Sequence, residues 1–183
     1  MPDIAASRLT YRSLEENDWP FFLALHQQRD LMHYISEART EEEIRLHAFE
    51  KRLHPWHKGS EHWLCLVISE KNSTLPVGLT GFIERGEGMA EVGFILAAAF
   101  HGQGIGSASL HDMACFAFHT LGYRKLTATV TSGNEASRRT LLRAGFRQEG
   151  TLRQHYYLHG NWQDEWIFGL LKEEFRGEPI SSW

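Results

Sequence analysis

The chain is poor in cysteine, and that sets its first limit. Cys65 and Cys115 are the only two among 183 residues. Both fall in apolar runs, so a disulfide framework is excluded and buried, reduced thiols are expected. Positive charge is not in excess either: 19 Lys and Arg stand against 23 Asp and Glu, a net charge of −4. That balance argues against binding nucleic acid through bulk electrostatics and favours a cationic substrate. No apolar run reaches the roughly 20 residues that cross a bilayer, and the N-terminus carries no hydrophobic leader block. A cytoplasmic protein with no membrane partner is expected. A metal-ligand pattern is also missing. His54, His57 and His62 lie near Cys65, but their spacing matches no zinc site, and they read as a surface loop with no metal.

What remains is ordinary for a globular chain, 42% hydrophobic and 23% charged, with no internal repeat and no linker. It is organised around the stretch from Met89 to Leu121. Met89 to Leu96 has the apolar, β-branched character of a strand. Gly102, Gly104 and Gly106 then mark a turn and the start of a helix, since glycine inside a helix costs about 1 kcal/mol each. Leu110, Ala114, Ala117 and Leu121 follow at helical spacing. A glycine loop opening a helix gathers backbone N–H groups on one anion, and a phosphate is the expected guest. The loop is not a Walker A loop, because no lysine follows Gly106. It is not a dinucleotide fingerprint, because Ser107 occupies the third glycine's place.

The rest of the chain reads in order. Arg8 to Leu14 alternates as a first strand. Ser13 with Glu16 forms a candidate capping box, and Asn17, Asp18 and Pro20 mark a helix start with Phe21, Phe22 and Leu25 on its apolar face. Thr40 with Glu43 is a second capping box, opening a helix with Leu46, Phe49 and Leu53 turned inward. His62 to Ile68, Val77 to Ile83 and Met89 to Leu96 form successive strands, and the short turns between them predict antiparallel hairpins. Lys125 to Thr131 must run parallel to Met89–Leu96, because a helix joins them. Asn134 or Ser132 caps a further helix with Leu141 and Leu142 on its apolar face, ended by Gly145. Phe146 to Leu158 and Trp162 to Leu171 close the chain as a hairpin. The fold class is α/β (α+β): one domain over 1–183, a mixed and mostly antiparallel sheet of about seven strands, helices on both faces.

Two segments resemble a known family. His101-Gly102-Gln103-Gly104-Ile105-Gly106 resembles the acetyl-coenzyme A motif of the GNAT superfamily of N-acetyltransferases, with His101 where Arg or Gln is usual. Asn134, Ser137, Gly145, Phe146, Glu149 and Gly150 then match the family's N-x-x-S…GF…EG segment. Nearly the whole chain is similar to the RimJ/RimL type, the ribosomal-protein N-terminal acetyltransferases and their relatives. The resemblance implies acetyl-CoA as cosubstrate, an amine acceptor and a homodimer as in many relatives. It implies that Arg29 to Ile35 walls the substrate site, and that the strand from Val92 splays from its parallel neighbour. Phe94, Ile95 and Leu96 would then offer backbone groups to pantetheine, and the N–H groups of Gln103, Gly104, Ile105, Gly106 and Ser107 would hold the pyrophosphate. Asn134 would bond pantetheine, or serve as a plain helix cap. Arg138, Arg139 and Arg143 would meet CoA phosphates, or remain solvated charges.

For catalysis the resemblance makes Ser137 the candidate general acid, against a helix serine bonded to its own backbone. A glutamate found in some RimL-like enzymes is absent here: His155 and Tyr156 stand in that strand, so Tyr156 becomes a hydroxyl candidate against simple aromatic packing. Glu91 is the base candidate, against a structural salt bridge. Deprotonating an α-amine of pKa near 7.8 at pH 7 costs about 1 kcal/mol, against about 4.6 for a lysine amine, which favours an α-amine acceptor. The expected activity is acetyl transfer to a protein N-terminus. The alternatives are a small-molecule amine or antibiotic acetyltransferase, and a catalytically silent acyl-CoA-binding regulator.

Overall fold

The computed structural model describes residues 8–177; the first seven residues of the expected leaderless N-terminus lie outside the described residues. A seven-stranded sheet runs through the molecule in the order β1-β2-β3-β4-β5-β7-β6. Its strands are β1 (Leu9–Ser13), β2 (Leu64–Glu70), β3 (Pro76–Gly86), β4 (Met89–Leu96), β5 (Lys125–Thr131), β6 (Arg147–Leu158) and β7 (Asn161–Leu171). All pairings are antiparallel except β4 with β5, the pair joined by a helical crossover. The expected α/β fold class and sheet are therefore observed. The two tight hairpins turn on Glu87-Gly88 and His159-Gly160, and all four residues have positive φ. That geometry matches the right-handed twist of the flanking strands, and a glycine in each pair accommodates it.

Helices cover both faces because the central strands are apolar on both. In β2, Leu64 and Leu66 face one layer while Cys65 and Val67 face the other, so the strand reads as a continuous hydrophobic run. On the first face lie α4 (Ile105–Cys115), continued by a π turn at Phe116–Thr120, and α5 (Glu135–Arg143). Their Leu110, Met113, Ala117 and Leu141 pack on Leu66, Phe82, Leu126 and Phe168. On the second face α1 (Trp19–Gln27), the short α2 (Arg29–Met32) and α3 (residues 41–53) bury Phe22, Leu25, Ile44 and Phe49 against Val67 and Leu79. None of the described helices is long and apolar enough to cross a membrane.

Local departures from the sequence reading have physical causes. The Thr40–Glu43 capping box forms as expected, but the first one uses other residues: the Glu15 N–H donates to Asp18 Oδ2 at 2.8 Å. Asp18 is fixed there by a two-pronged bond from Arg12, 2.7 Å on each arm. Leu46 is 45% exposed and not inward. Phe49 is buried as expected, and the π turn at Arg45–Phe49 inside α3 widens the helix so that Ile44 and Ala48 reach the core in place of Leu46. Leu142 is also exposed while Leu141 is buried, because neighbouring helical positions lie about 100° apart and a narrow contact takes only one.

β2 and β3 approach closely at Gly81, where a Cβ would stand 1.7 Å from the Leu64 carbonyl oxygen. The Gly81→Ala substitution is therefore expected to cost about 3 kcal/mol, the upper end of overpacking penalties, or roughly 6–12 °C in Tm for a chain of this size. Thermal unfolding by circular dichroism checks this; a midpoint moved by less than about 2 °C refutes the close approach.

Candidate active site

The site begins where the sheet divides. β4 pairs with β5 only through Met89, Ala90 and Glu91, yet it stays paired with β3 as far as Leu96. β5 meanwhile pairs with β7 along its whole length, from Lys125 with Leu171 to Thr131 with Glu165. Each strand keeps its outer partner, so the two separate, and beyond Glu91 no described strand pairs with β4 on that side. Two cavities of about 740 and 400 Å3 open at the split and share Tyr34, Ile35, Phe94, Ile95, Asn134 and Ser137.

The larger cavity lies over the glycine loop. Gly102 and Gly104 have φ of +74° and +76°, and Gly104 caps α4. The N–H groups of the first helical turn have no intrahelical partner, and Gly104, Ile105, Gly106 and Ser107 line the cavity. The helix dipole adds positive potential at the same point. His101 lines the cavity too, and its Nε2 lies 2.9 Å from the Leu96 carbonyl oxygen, tying loop to strand. The Gln103 side chain turns back to donate to the Ala99 carbonyl. A Cβ on Gly106 would sit 3.0 Å from the Thr140 methyl, so glycine there lets α4 and α5 meet. Arg139 and Arg143 line the cavity, whereas Arg138 is drawn away to Glu135 and Gln148. The Arg8 guanidinium, overlooked in the sequence, reaches within 3.5 Å of where a Gly104 Cβ would stand.

The smaller cavity carries the titratable groups. Asn134 Oδ1 accepts the Ser137 N–H at 3.3 Å, so Asn134 caps α5. The Ser137 hydroxyl makes no bond to its own helix among the described residues, unlike Thr140, which donates to the Ala136 carbonyl. Glu91 lines the cavity, but its Oε2 pairs with Arg85 at 2.6 Å and its Oε1 receives Thr129 at 3.4 Å. The Tyr156 hydroxyl donates to the Ile35 carbonyl. Burial and the carboxylates of Glu165 and Glu37 push that phenol above its ordinary value.

One group was missed in the sequence. Glu165 on β7 lines the same cavity and is 18% exposed. Burial raises its pKa, the nearby Glu91 carboxylate raises it further, and His155, 3.9 Å away, offsets part of this. The available signal was a carboxylate at the point where the closing strand turns from polar (Asn161, Gln163, Asp164) to apolar (Trp166 to Leu171). Among the described residues no group of three His, Cys, Asp or Glu could hold a metal.

The segment after α2 forms the outer wall of both cavities. Thr131 donates to the Tyr34 carbonyl at 2.8 Å, Tyr156 to that of Ile35, and His159 contacts Glu37 at 3.1 Å.

A split sheet with a glycine-loop helix at the break is the architecture of an N-acetyltransferase. The chain belongs to the GNAT family: a family model described as "Acetyltransferase (GNAT) domain" matches residues 8–147. A probable N-acetyltransferase of Bacillus subtilis (YjcK) is 27% identical over 169 residues, 89% of this chain and 93% of that protein. A putative ribosomal N-acetyltransferase of the same organism (YdaF) is 36% identical over 89 residues, 49% of each chain. The solved spermidine N-acetyltransferase of Vibrio cholerae, in complex with CoA and spermine, shares the fold with a TM-score of 0.78 at 24% identity, covering 92% of this chain and 98% of that one.

The wall can be tested directly. Tyr156→Phe removes the bond to Ile35, worth about 1 kcal/mol, and should speed hydrogen exchange of the Ile35 and Ser36 amides roughly fivefold while leaving the global Tm nearly unchanged. Equal exchange in both proteins refutes the tether.

Proposed function

We propose that this N-acetyltransferase moves the acetyl group of acetyl-CoA onto an α-amine at a protein N-terminus, in the manner of the RimJ/RimL type, and that it acts in the cytoplasm. The observation that carries this is the carboxylate of Glu165, which lines the cavity at the split in the sheet and whose pKa is raised by burial and by Glu91. The donor fits what the chain offers. The loop N–H groups from Gln103 to Ser107, with Arg139 and Arg143, suit a pyrophosphate. The unpaired edge at Phe94, Ile95 and Leu96 suits the amides of pantetheine, with Asn134 beside it. Acetyl-CoA when bound supplies an activated thioester.

The chain's own groups then divide the proton work. Glu165, through a water, takes a proton from the incoming ammonium, and its raised pKa makes it a stronger base than an exposed glutamate. Glu91 has one oxygen committed to Arg85 and serves better to hold Glu165 in that state. A main-chain N–H near Ile95 polarises the thioester carbonyl. Ser137, whose hydroxyl is not spent on its own helix, donates a proton to the departing sulfur and regains one from the nitrogen as the amide bond replaces the thioester bond. Tyr156 remains a second donor only if its bond to Ile35 breaks.

A small-molecule amine as acceptor is the second reading, favoured by likeness to the Vibrio cholerae spermidine N(1)-acetyltransferase, 27% identical over 92% of this chain. A silent acyl-CoA-binding regulator is the third. Glu165→Gln should lower kcat by about 100-fold or more and leave the affinity for acetyl-CoA within about twofold by calorimetry. The wild-type rate should fall as pH drops through a pKa above the ordinary 4.5, because only the carboxylate form accepts the proton. Gly104→Asp should abolish acetyl-CoA binding. A Glu165→Gln enzyme with unchanged kcat, or no CoA release with any amine or peptide N-terminus, overturns the reading.

A further inference from the structure

The smaller cavity has a cationic wall that the chemistry above does not use. Arg52, on α3, lines it together with Phe22, His26 and Trp63. The guanidinium lies 5.8 Å from the Trp63 ring centroid, and its Nη1 donates to the Ala48 carbonyl at 3.1 Å. Trp63 in turn rests on Gly93 of β4. Arg52 therefore stands on the β2–β4 side of the split, while Glu165 stands on β7 across it.

No carboxylate among the described residues pairs with Arg52. The contrast with other arginines is sharp. Arg12 holds Asp18, Arg45 holds Glu16 and Glu50, and Arg85 holds Glu91. Desolvation nonetheless lowers the Arg52 pKa, Cys65 offsets part of that, and Arg39, also without a carboxylate partner among the described residues, lowers it further. The neighbouring His26 provides no counter-charge. Burial pushes its pKa down to about 4, and its Nδ1 is engaged with the Phe22 carbonyl at 2.8 Å, so it is neutral at pH 7.

A half-buried guanidinium with most of its five donors unused by the protein is costly. A ligand cavity is where such a cost can be offset by what binds. The cavity also holds two acids, Glu165 on β7 across the split and Glu91 at the last paired position of β4. A polyamine would satisfy the acids and set a second cation against Arg52. An amine that also bears an anion satisfies the acids and Arg52 together.

Resting on the reading of the chain as an acetyltransferase, we infer that the acceptor is a primary amine that also carries a carboxylate, and that Arg52 is the residue that receives it. The carboxylate could belong to a free amino acid or to an acidic residue next to a peptide N-terminus. The chemistry at Arg52 is the same, and paired acceptors separate the two sources.

The test uses the full chain with acetyl-CoA and four acceptors: serine against serinamide, and a Ser-Asp peptide amide against its Ser-Asn counterpart, with spermidine alongside. At least one acid should exceed its uncharged partner in kcat/KM by tenfold or more, carried by KM. The serine pair identifies a free amino acid, the peptide pair an acidic N-terminus. In Arg52→Gln that ratio should fall below threefold, and the Kd of the preferred acid for CoA-saturated enzyme, by calorimetry, should rise at least tenfold. Arg52→Lys should recover part of both. Both ratios below threefold in wild type, spermidine as the best acceptor, or an unchanged ratio in Arg52→Gln each overturn the inference. Should Arg52→Gln fail to fold, the wild-type ratios decide alone. Absence of CoA release with every amine overturns the proposed function instead, and calorimetry with the same four acceptors still decides the inference.

Discussion

Everything in this molecule depends on a sheet that cannot stay closed. β4 is bound to β3 along its full length and β5 to β7 along its full length, so the parallel ladder between β4 and β5 survives for only three residue pairs. A buried strand edge without partners is expensive for a protein core. Here that edge lines a cavity, where an extended ligand can complete the ladder. The glycine-rich start of α4 stands beside the same break, because the crossover from β4 to β5 must leave the sheet there. Backbone groups on the strand and backbone groups at the helix start thus meet in one cleft without any particular side chain being needed.

The walls of the cleft are set by what packs behind them. α4 and α5 are seated by the core around Phe82, Leu126 and Leu141, and α4 is held to β1 by the Tyr11 hydroxyl on Asp112. Burial, together with the Asp112 carboxylate, holds that phenol well above the ordinary range, so it stays a donor. On the opposite face α1 and α3 bring His26 and Arg52 to the smaller cavity. The segment after α2 is fixed by three separate elements: the end of β5, the last turn-side residues of β6 and the tip of the last hairpin. Each of these bonds is modest alone. Together they keep this segment in one place at the rim of both cavities.

Much of this was legible in the chain. The strands at Met89–Leu96 and Lys125–Thr131 appear at the expected residues, because apolar alternation between turn residues is a local signal. The Thr40–Glu43 box forms for the same reason. Leu46 failed where a π turn shifted the helical register, a choice made by packing and not by the local sequence. Glu91 and Tyr156 were found as cavity residues, but the structure gives each a partner, Arg85 and the Ile35 carbonyl, that no spacing rule encodes. Glu165 was passed over because its importance lies in being desolvated beside Glu91, and the two are 74 positions apart in the chain.

The sequence by itself determined the elements, their order and the glycine loop that opens α4, since propensity, periodicity and glycine's conformational freedom act over a few residues. It also determined the family, through two motifs in order. Only the tertiary structure decided which charges face each other across the cleft. Whether a carboxylate is a base or half of an ion pair, and whether an arginine is satisfied or waiting, depends on the dielectric and the neighbours that folding supplies. Those neighbours come from distant parts of the chain, so no local pattern can record them.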